Sequence, residues 1–374
     1  MVPRQAPGNS PQLPARIFAS RGAANMEMDA LKKTIHALLA IATASMMLSA
    51  PAFADAMQDA AAANARGDYA AELEIVRALA ENGDAWAQQW LGLSYGLGTG
   101  VPQDYAESAK WYRLAADQGN ADAQFDLGLM HDNGRGVPQD HAEAAKWYRL
   151  AANQGHAAAQ YNLGVAYAKG EGVVQDHAEA VKWFGLAAAQ GGESAQYTLG
   201  LMYDNGLGVL QDYSEALKWY RLAADQGNAD AQYNLGNMYD SGQGVQQDYA
   251  EAVKWYRLAA AQGRAAAQYN LGNMYKNGLG VLQDYSEALK WYRLASAQGY
   301  AKAQSNLGVL YQFGQGVVQD YVRAHMWFNL GAVSGKSEKA AKNRDAIAAK
   351  MTPAQIAEAQ KLARECQARE FKGC

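Results

Sequence analysis

Five histidines lie beyond residue 54, at His131, His141, His156, His177 and His325, and imidazoles are the residues here most suited to metal or proton chemistry. His141 and His177 occupy one recurring position, thirty-six residues apart, that other parts of the chain fill with tyrosine. Elements packed side by side would hold them about 10 Å apart, too far to share an ion. They read instead as half-buried rings standing in for tyrosine. A second candidate is "DNGLG", Asp204 to Gly208, which has the look of a calcium or phosphate loop. Its aspartate is present only at Asp132, Asp204 and Asp240 among seven equivalent positions, and the spacing of an EF-hand is missing. There is no HExxH, nucleophile elbow, Walker loop or dinucleotide fingerprint. Cys366 and Cys374 either close a small disulfide loop or leave Cys366 as a buried thiol on a helix face, and no zinc spacing surrounds them. Neither a catalytic residue, a metal nor a cofactor is expected.

The charge balance narrows the partners. The 374 residues carry a formal net charge of −4 and no basic cluster, so nucleic acid finds no electrostatic footprint. Lys32 and Lys33 precede an apolar run from Thr34 to Ala50, followed by Pro51 and Ala52-Phe53-Ala54. This order predicts a signal peptide over residues 26–54, cleaved after Ala54, and a periplasmic or secreted product. The run is short and ends at proline, which disfavours a stable membrane span. Residues 1–25 are Pro-rich and aperiodic, and are expected to be an upstream extension ahead of a true start at Met26 or Met28.

What would position any binding residue is a repeat. Tryptophans stand at 111, 147, 183, 219, 255, 291 and 327, and Leu-Gly pairs keep the same step from Leu91 to Gly308. Seven 36-residue units therefore span residues 84–335, the mark of a solenoid. In each unit a first helix places residues such as Ala231, Leu235, Met238 and Tyr239 on one face. Gly236 sits mid-helix at a cost of about 1 kcal/mol, so close approach of Trp255 or Tyr256 is expected over it. Gly242 ends the helix. A second helix opens at "QDYAE", where Asp248 and Glu251 predict a capping box, present in six units. Tyr249, Ala252, Val253, Tyr256, Ala259 and Ala260 form its apolar stripe; Glu251, Lys254 and Arg257 form a solvated outer one.

These residues carry a resemblance. The L-G-x-x-Y core (Leu235, Gly236, Tyr239) with Ala252 and Tyr256 echoes tetratricopeptide repeats. The inserted "G-x-G-V-x-Q-D" and the "A-x-K-W-Y-R-L-A-A-x-Q-G" helix are similar to the Sel-one-like repeat family, in its bacterial exported form. The resemblance implies an all-α fold, an α/α solenoid wound as a right-handed superhelix of helix-turn-helix units. Capping elements are expected at both ends: one helix within residues 55–83, aligned through Gly67 to Gly83 with a second helix alone, and further helices over 336–374. Thr352, Pro353 and Gln355 signal a helix start there. Cysteine-rich relatives linked to penicillin binding staple each unit with a cysteine pair, which these units lack.

Positions three, seven, ten and fourteen of each unit share one side of the first helix. By the same resemblance this side lines a concave groove. It carries Trp86 and Trp90 in the first unit and Asn162, Asn234, Asn237, Asn270, Asn273 and Asn306 in later ones. Asparagine is a poor helix residue but offers donor and acceptor to an extended peptide. The recurring Asn162, Asn234, Asn270 and Asn306 equally suit bridges between neighbouring units; Asn237 and Asn273 favour binding. Trp86 and Trp90 suit an anchor pocket or packing under the first cap. The expectation is a non-catalytic, exported adaptor binding a protein or peptide. The alternatives are a cell-wall enzyme or carbohydrate-binding factor, with exposed Tyr197, Tyr233 and Tyr269 stacking on sugars, and a secreted effector contacting a host.

Overall fold

The computed structural model describes residues 51–374 apart from residue 336. The expected extension over 1–25 and all but the last residues of the expected leader lie outside these. The described residues form eighteen helices and no strand. They divide into two units, at Leu210 and Gln211.

The N-terminal unit holds α1 (Pro51–Ala65), α2 (Tyr69–Glu81), α3 (Ala85–Leu97), α4 (Tyr105–Asp117), α5 (Ala121–Asn133), α6 (His141–Asn153), α7 (Ala157–Lys169), α8 (His177–Ala189) and α9 (Glu193–Asn205). Each helix from α1 to α8 packs on the next. Residues 55–83, expected to supply one capping helix, contain the rest of α1 and all of α2, and α1 begins before the expected cleavage point. Asn64 of α1 is buried and bonds Glu72 of α2, so the half unit seen in the sequence has a packed partner helix.

The C-terminal unit holds α10 (Tyr213–Asp225), α11 (Ala229–Ser241), α12 (Tyr249–Ala261), α13 (Ala265–Asn277), α14 (Tyr285–Ser296), α15 (Ala301–Phe313), α16 (Tyr321–Gly335), α17 (Glu338–Ala348) and α18 (Pro353–Ala368). Both α17 and α18 pack on α16. The Thr352–Gln355 capping box is formed, with Pro353 in the first turn. Cys366, buried on α18, is joined to Cys374 in a disulfide. The turn it closes lays Phe371 against Gly299.

Local chemistry sets each helix pair. Gly242 takes φ 73° and donates its N–H to Met238 O at 2.8 Å, ending α11 in the left-handed conformation that glycine accepts most easily. Asp248 Oδ1 accepts from the amides of Ala250 and Glu251 and starts α12. Here the structure departs from the expected reciprocal box. Glu251 turns outward to Lys254 Nζ at 2.6 Å instead of back to the cap, because an ammonium one turn on is the stronger partner. Glu143 and Glu287 also accept from the indole N–H of Trp147 and Trp291.

The aromatic over Gly236 is Tyr256, not Trp255; a Cβ there would stand 2.4 Å from its ring. Tyr112, Tyr148, Phe184, Tyr292 and Phe328 repeat this contact over their own glycines. Ala231, Leu235 and Met238 are buried with them. On the outer stripe Lys254 and Arg257 are exposed as expected, and Arg257 also reaches the next pair, donating to Tyr275 Oη at 2.9 Å.

A glutamine ladder with one buried glutamine in each rung, absent from the reading of the sequence, joins successive layers. Gln232 Nε2 donates to Ala224 O at 3.1 Å, and its Oε1 accepts from Gln262 Nε2 at 2.9 Å. Gln88, Gln124, Gln160 and Gln268 repeat both bonds. The last rung fails. Gln304 is fully buried, Ser334 stands where the other units supply the second glutamine, and neither amide atom of Gln304 has a partner among the described residues.

Candidate functional site

Among the described residues the recurring face of the first helices lines cavities in both units, of which two in the N-terminal unit and one in the C-terminal unit bear on binding. The smallest, about 200 Å³, lies under the α1–α2 cap and is lined by Tyr69, Glu72, Trp90, Leu93 and Leu97. Glu72 is 4% exposed; its carboxylate accepts from Asn64 Nδ2 at 2.7 Å and Trp90 Nε1 at 3.1 Å. Trp90 stacks on Trp86 with ring centroids 5.7 Å apart. The tryptophan pair thus packs against the cap, and Trp90 also walls a cavity.

The second cavity, about 440 Å³, runs across α3, α5 and α7 and is lined by Leu97, Asp126, Leu129, Asn133 and Asn162. Asp126 stands where other units carry asparagine. Burial, and then the charge of Asp122, push its carboxyl up to about 7, although Tyr112 hydrogen-bonds to it. Asp132, at the same wall, bonds His141 Nδ1 at 2.7 Å and accepts from Tyr148 Oη at 3.3 Å. That pairing accounts for one histidine and for one aspartate of the loop considered as a calcium site. Asp240, its counterpart in the C-terminal unit, accepts from Tyr256 Oη at 3.3 Å, and burial raises its carboxyl above the ordinary range. No group of metal-ligating side chains occurs among the described residues.

In the C-terminal unit the asparagines meet in two bridges. Asn237 Oδ1 accepts from Tyr256 Oη at 2.8 Å and from Asn270 Nδ2 at 3.1 Å. Asn273 Oδ1 accepts from Tyr292 Oη at 2.7 Å and from Asn306 Nδ2 at 3.1 Å. Burial raises the pKa of both phenols, which keeps them neutral donors. The oxygens of Asn237 and Asn273, favoured for binding, each accept one bond from the tyrosine of their own helix pair and one from the asparagine of the next. Asn162 and Asn306 line cavities, and Asn234 is half-buried.

The third cavity, about 800 Å³, lies between α13, α15 and α17 and is lined by Tyr269, Lys276, Tyr300, Lys302, Asn306 and Lys339, among others. Sequence reasoning missed its lysines. Their signal was departure from the repeat, since Lys276 replaces the aspartate of Asp240. The tyrosines offered as exposed sugar platforms are not free. Tyr197 is half-buried, Tyr233 packs on Tyr256 under the Arg264 guanidinium, and Tyr269 packs between Tyr292 and Tyr300.

Fold and face together define an α/α solenoid repeat protein whose first helices line cavities in both units. The Sel1 repeat model matches residues 87–120, 121–156, 157–192, 193–228, 229–263, 265–300 and 301–334. The chain belongs to the Sel1 repeat family. A Sel1 repeat protein from Oxalobacter formigenes is 35% identical, covering 76% of this chain and 88% of its own, with a TM-score of 0.58. A protective antigen of uropathogenic Escherichia coli with an SLR fold is 32% identical over 85% of each chain, with a TM-score of 0.44. An immunity protein from Pseudomonas aeruginosa is 20% identical, covering 57% of this chain and 81% of its own, with a TM-score of 0.33. Among curated proteins, none matches the chain. Sel1 repeats generally serve protein interaction. No helix of the described residues is long and apolar enough to cross a membrane.

Proposed function

We propose that this chain is an exported, non-catalytic scaffold of the bacterial envelope that binds a protein or peptide along the face of its first helices. The observation that carries the reading is the coincidence of the cavities with positions seven, ten and fourteen of the repeat: Leu97, Asp126, Leu129, Asn133 and Asn162 line one of them. A repeat that spreads modest cavities over successive layers suits an extended partner better than a single reacting group. The leader expected over 26–54 supports export, and so does the Cys366–Cys374 disulfide, a bond that persists in oxidising compartments.

The test is a photo-crosslinking amino acid placed singly at Asn162, Asn306 and Lys254 in the expressing bacterium, with fractions blotted and the product's N-terminus sequenced. Adducts from Asn162 or Asn306 in the envelope fraction, none from the outward Lys254, and a chain starting at Asp55 are expected. Equal labelling from all three sites, or a cytoplasmic chain that keeps residues 26–54, overturns the reading.

A further inference from the structure

Lysines are spread thinly along this acidic chain, and most of those on the repeat helices sit beside a glutamate one turn away, as Lys254 does beside Glu251 and Lys290 beside Glu287. Lys276, Lys302 and Lys339 break that pattern. They come from three helices, α13, α15 and α17, and all line the cavity of about 800 Å³. No carboxylate of the described residues pairs with any of them. Lys276 is half-buried, and its pKa is lowered by burial and then by the Lys339 charge. Like charges gathered without a counter-charge cost free energy in the empty protein, and a bound anion removes that cost.

We propose that this cavity is the binding site for an acidic peptide segment, its carboxylates held by Lys276, Lys302 and Lys339. The proposal rests on the scaffold reading and names the partner chemistry for the C-terminal unit. The remaining lining decides for a peptide over a small inorganic anion. Asn343 brings an amide that can donate and accept, as a peptide backbone requires, and Tyr269 and Tyr300 supply ring surface for side-chain methylenes. The volume falls within the ordinary ligand-pocket range of about 300–1,000 Å³, far more than a lone phosphate fills. Separate ammonium groups on flexible stems suit carboxylates spaced along a chain, where a rigid guanidinium fork suits a single one.

The test uses the full-length chain purified from an expressing cell, with fluorescein-labelled hexaglutamate, its hexaglutamine counterpart and inorganic phosphate as probes, read by anisotropy at low and high salt. Hexaglutamate is expected to bind and hexaglutamine not, with affinity falling as salt rises. Lys302→Gln and Lys339→Gln, both on exposed positions, should each weaken binding about tenfold, the worth of one charge-assisted hydrogen bond. Lys254→Gln should change nothing, and circular dichroism of each variant confirms folding. Absence of hexaglutamate binding, equal binding of hexaglutamine, retention of affinity in the Lys276→Gln/Lys302→Gln/Lys339→Gln variant, or displacement by phosphate at concentrations that match peptide overturns the proposal. If the crosslinks from Asn162 and Asn306 persist after such a failure, the scaffold reading stands and only the acidic partner is lost; if they also fail, both fall.

Discussion

A Cβ added to Gly236 would lie 2.4 Å from Cδ1 of Tyr256, inside any contact that real side chains make. Glycine in mid-helix is therefore a condition of the second helix packing flat on the first. The helix-propensity gain of about 1 kcal/mol that alanine offers is outweighed by overpacking of about 1–3 kcal/mol. Because the ring is itself fully buried, it has nowhere to retreat. Gly236→Ala should lower stability in urea titrations, and Gly236→Leu should lower it further. Gly185, on α8, meets nothing within 4 Å of an added Cβ, so Gly185→Ala should raise stability by about 1 kcal/mol. Equal effects at the two sites would show that the ring contact does not set the packing.

The glutamine ladder makes a second, paired expectation. Gln232→Leu removes the bond it donates to Ala224 O and the bond it accepts from Gln262 Nε2, while Gly227 still bonds both of those groups, so the loss should be about 0.5–1.5 kcal/mol per bond. Gln304→Leu removes two amide atoms that already lack partners among the described residues, so it should be neutral or stabilising. Thermal unfolding of the two variants beside the parent chain gives the comparison directly.

Asp126 gives the N-terminal unit a pH dependence of known sign. Its folded carboxyl is raised to about 7, by burial first and Asp122 second, against about 3.9 in an unfolded chain. Between those values the folded state binds the extra proton. Its contribution to stability is thus fully present below about pH 4 and lost as pH rises to about 7. Asp126→Asn, which keeps a neutral polar group at that site, should gain stability relative to the parent at pH 8, and the gain should shrink towards pH 4. A constant difference across that range would contradict the assignment.

The helix pairs were legible in the sequence because each rests on local chemistry: Asp248 caps, Gly242 terminates, and Leu235 recurs at helical spacing. Bonds between layers were less so. Gln232 meets Gln262 across thirty residues and Arg257 meets Tyr275 across eighteen, distances that no local pattern reports. The glutamines repeat as faithfully as the tryptophans, yet recurrence alone does not say that a polar side chain is buried. The asparagines lie on the first helices, and the oxygens of Asn237 and Asn273 are shared between the tyrosine of their own pair and the asparagine of the next. The lysine cavity was hidden for the opposite reason, since Lys276, Lys302 and Lys339 depart from the repeat and converge only where α13, α15 and α17 wall one cavity.

The C-terminal disulfide closes an eight-residue separation, and the turn inside it places Phe371 against Gly299 while Cys366 is buried with Ile347 and Ala363. A loop of this size restricts the unfolded chain by about 2–3 kcal/mol in the loop-entropy model. That contribution acts on the last helix of the stack, which α16 and Ile347 of α17 support from within. Cys374→Ser should therefore accelerate hydrogen exchange over α18 and expose Arg369 and Lys372 to trypsin. Exchange at α11 and α12 should stay unchanged, because terminal layers of a repeat array open independently of interior ones. Treatment of the parent chain with a thiol reductant should reproduce the variant. If reduction instead unfolds the C-terminal unit as a whole, the disulfide supports the entire unit rather than its cap, and α18 cannot be treated as a separable end piece.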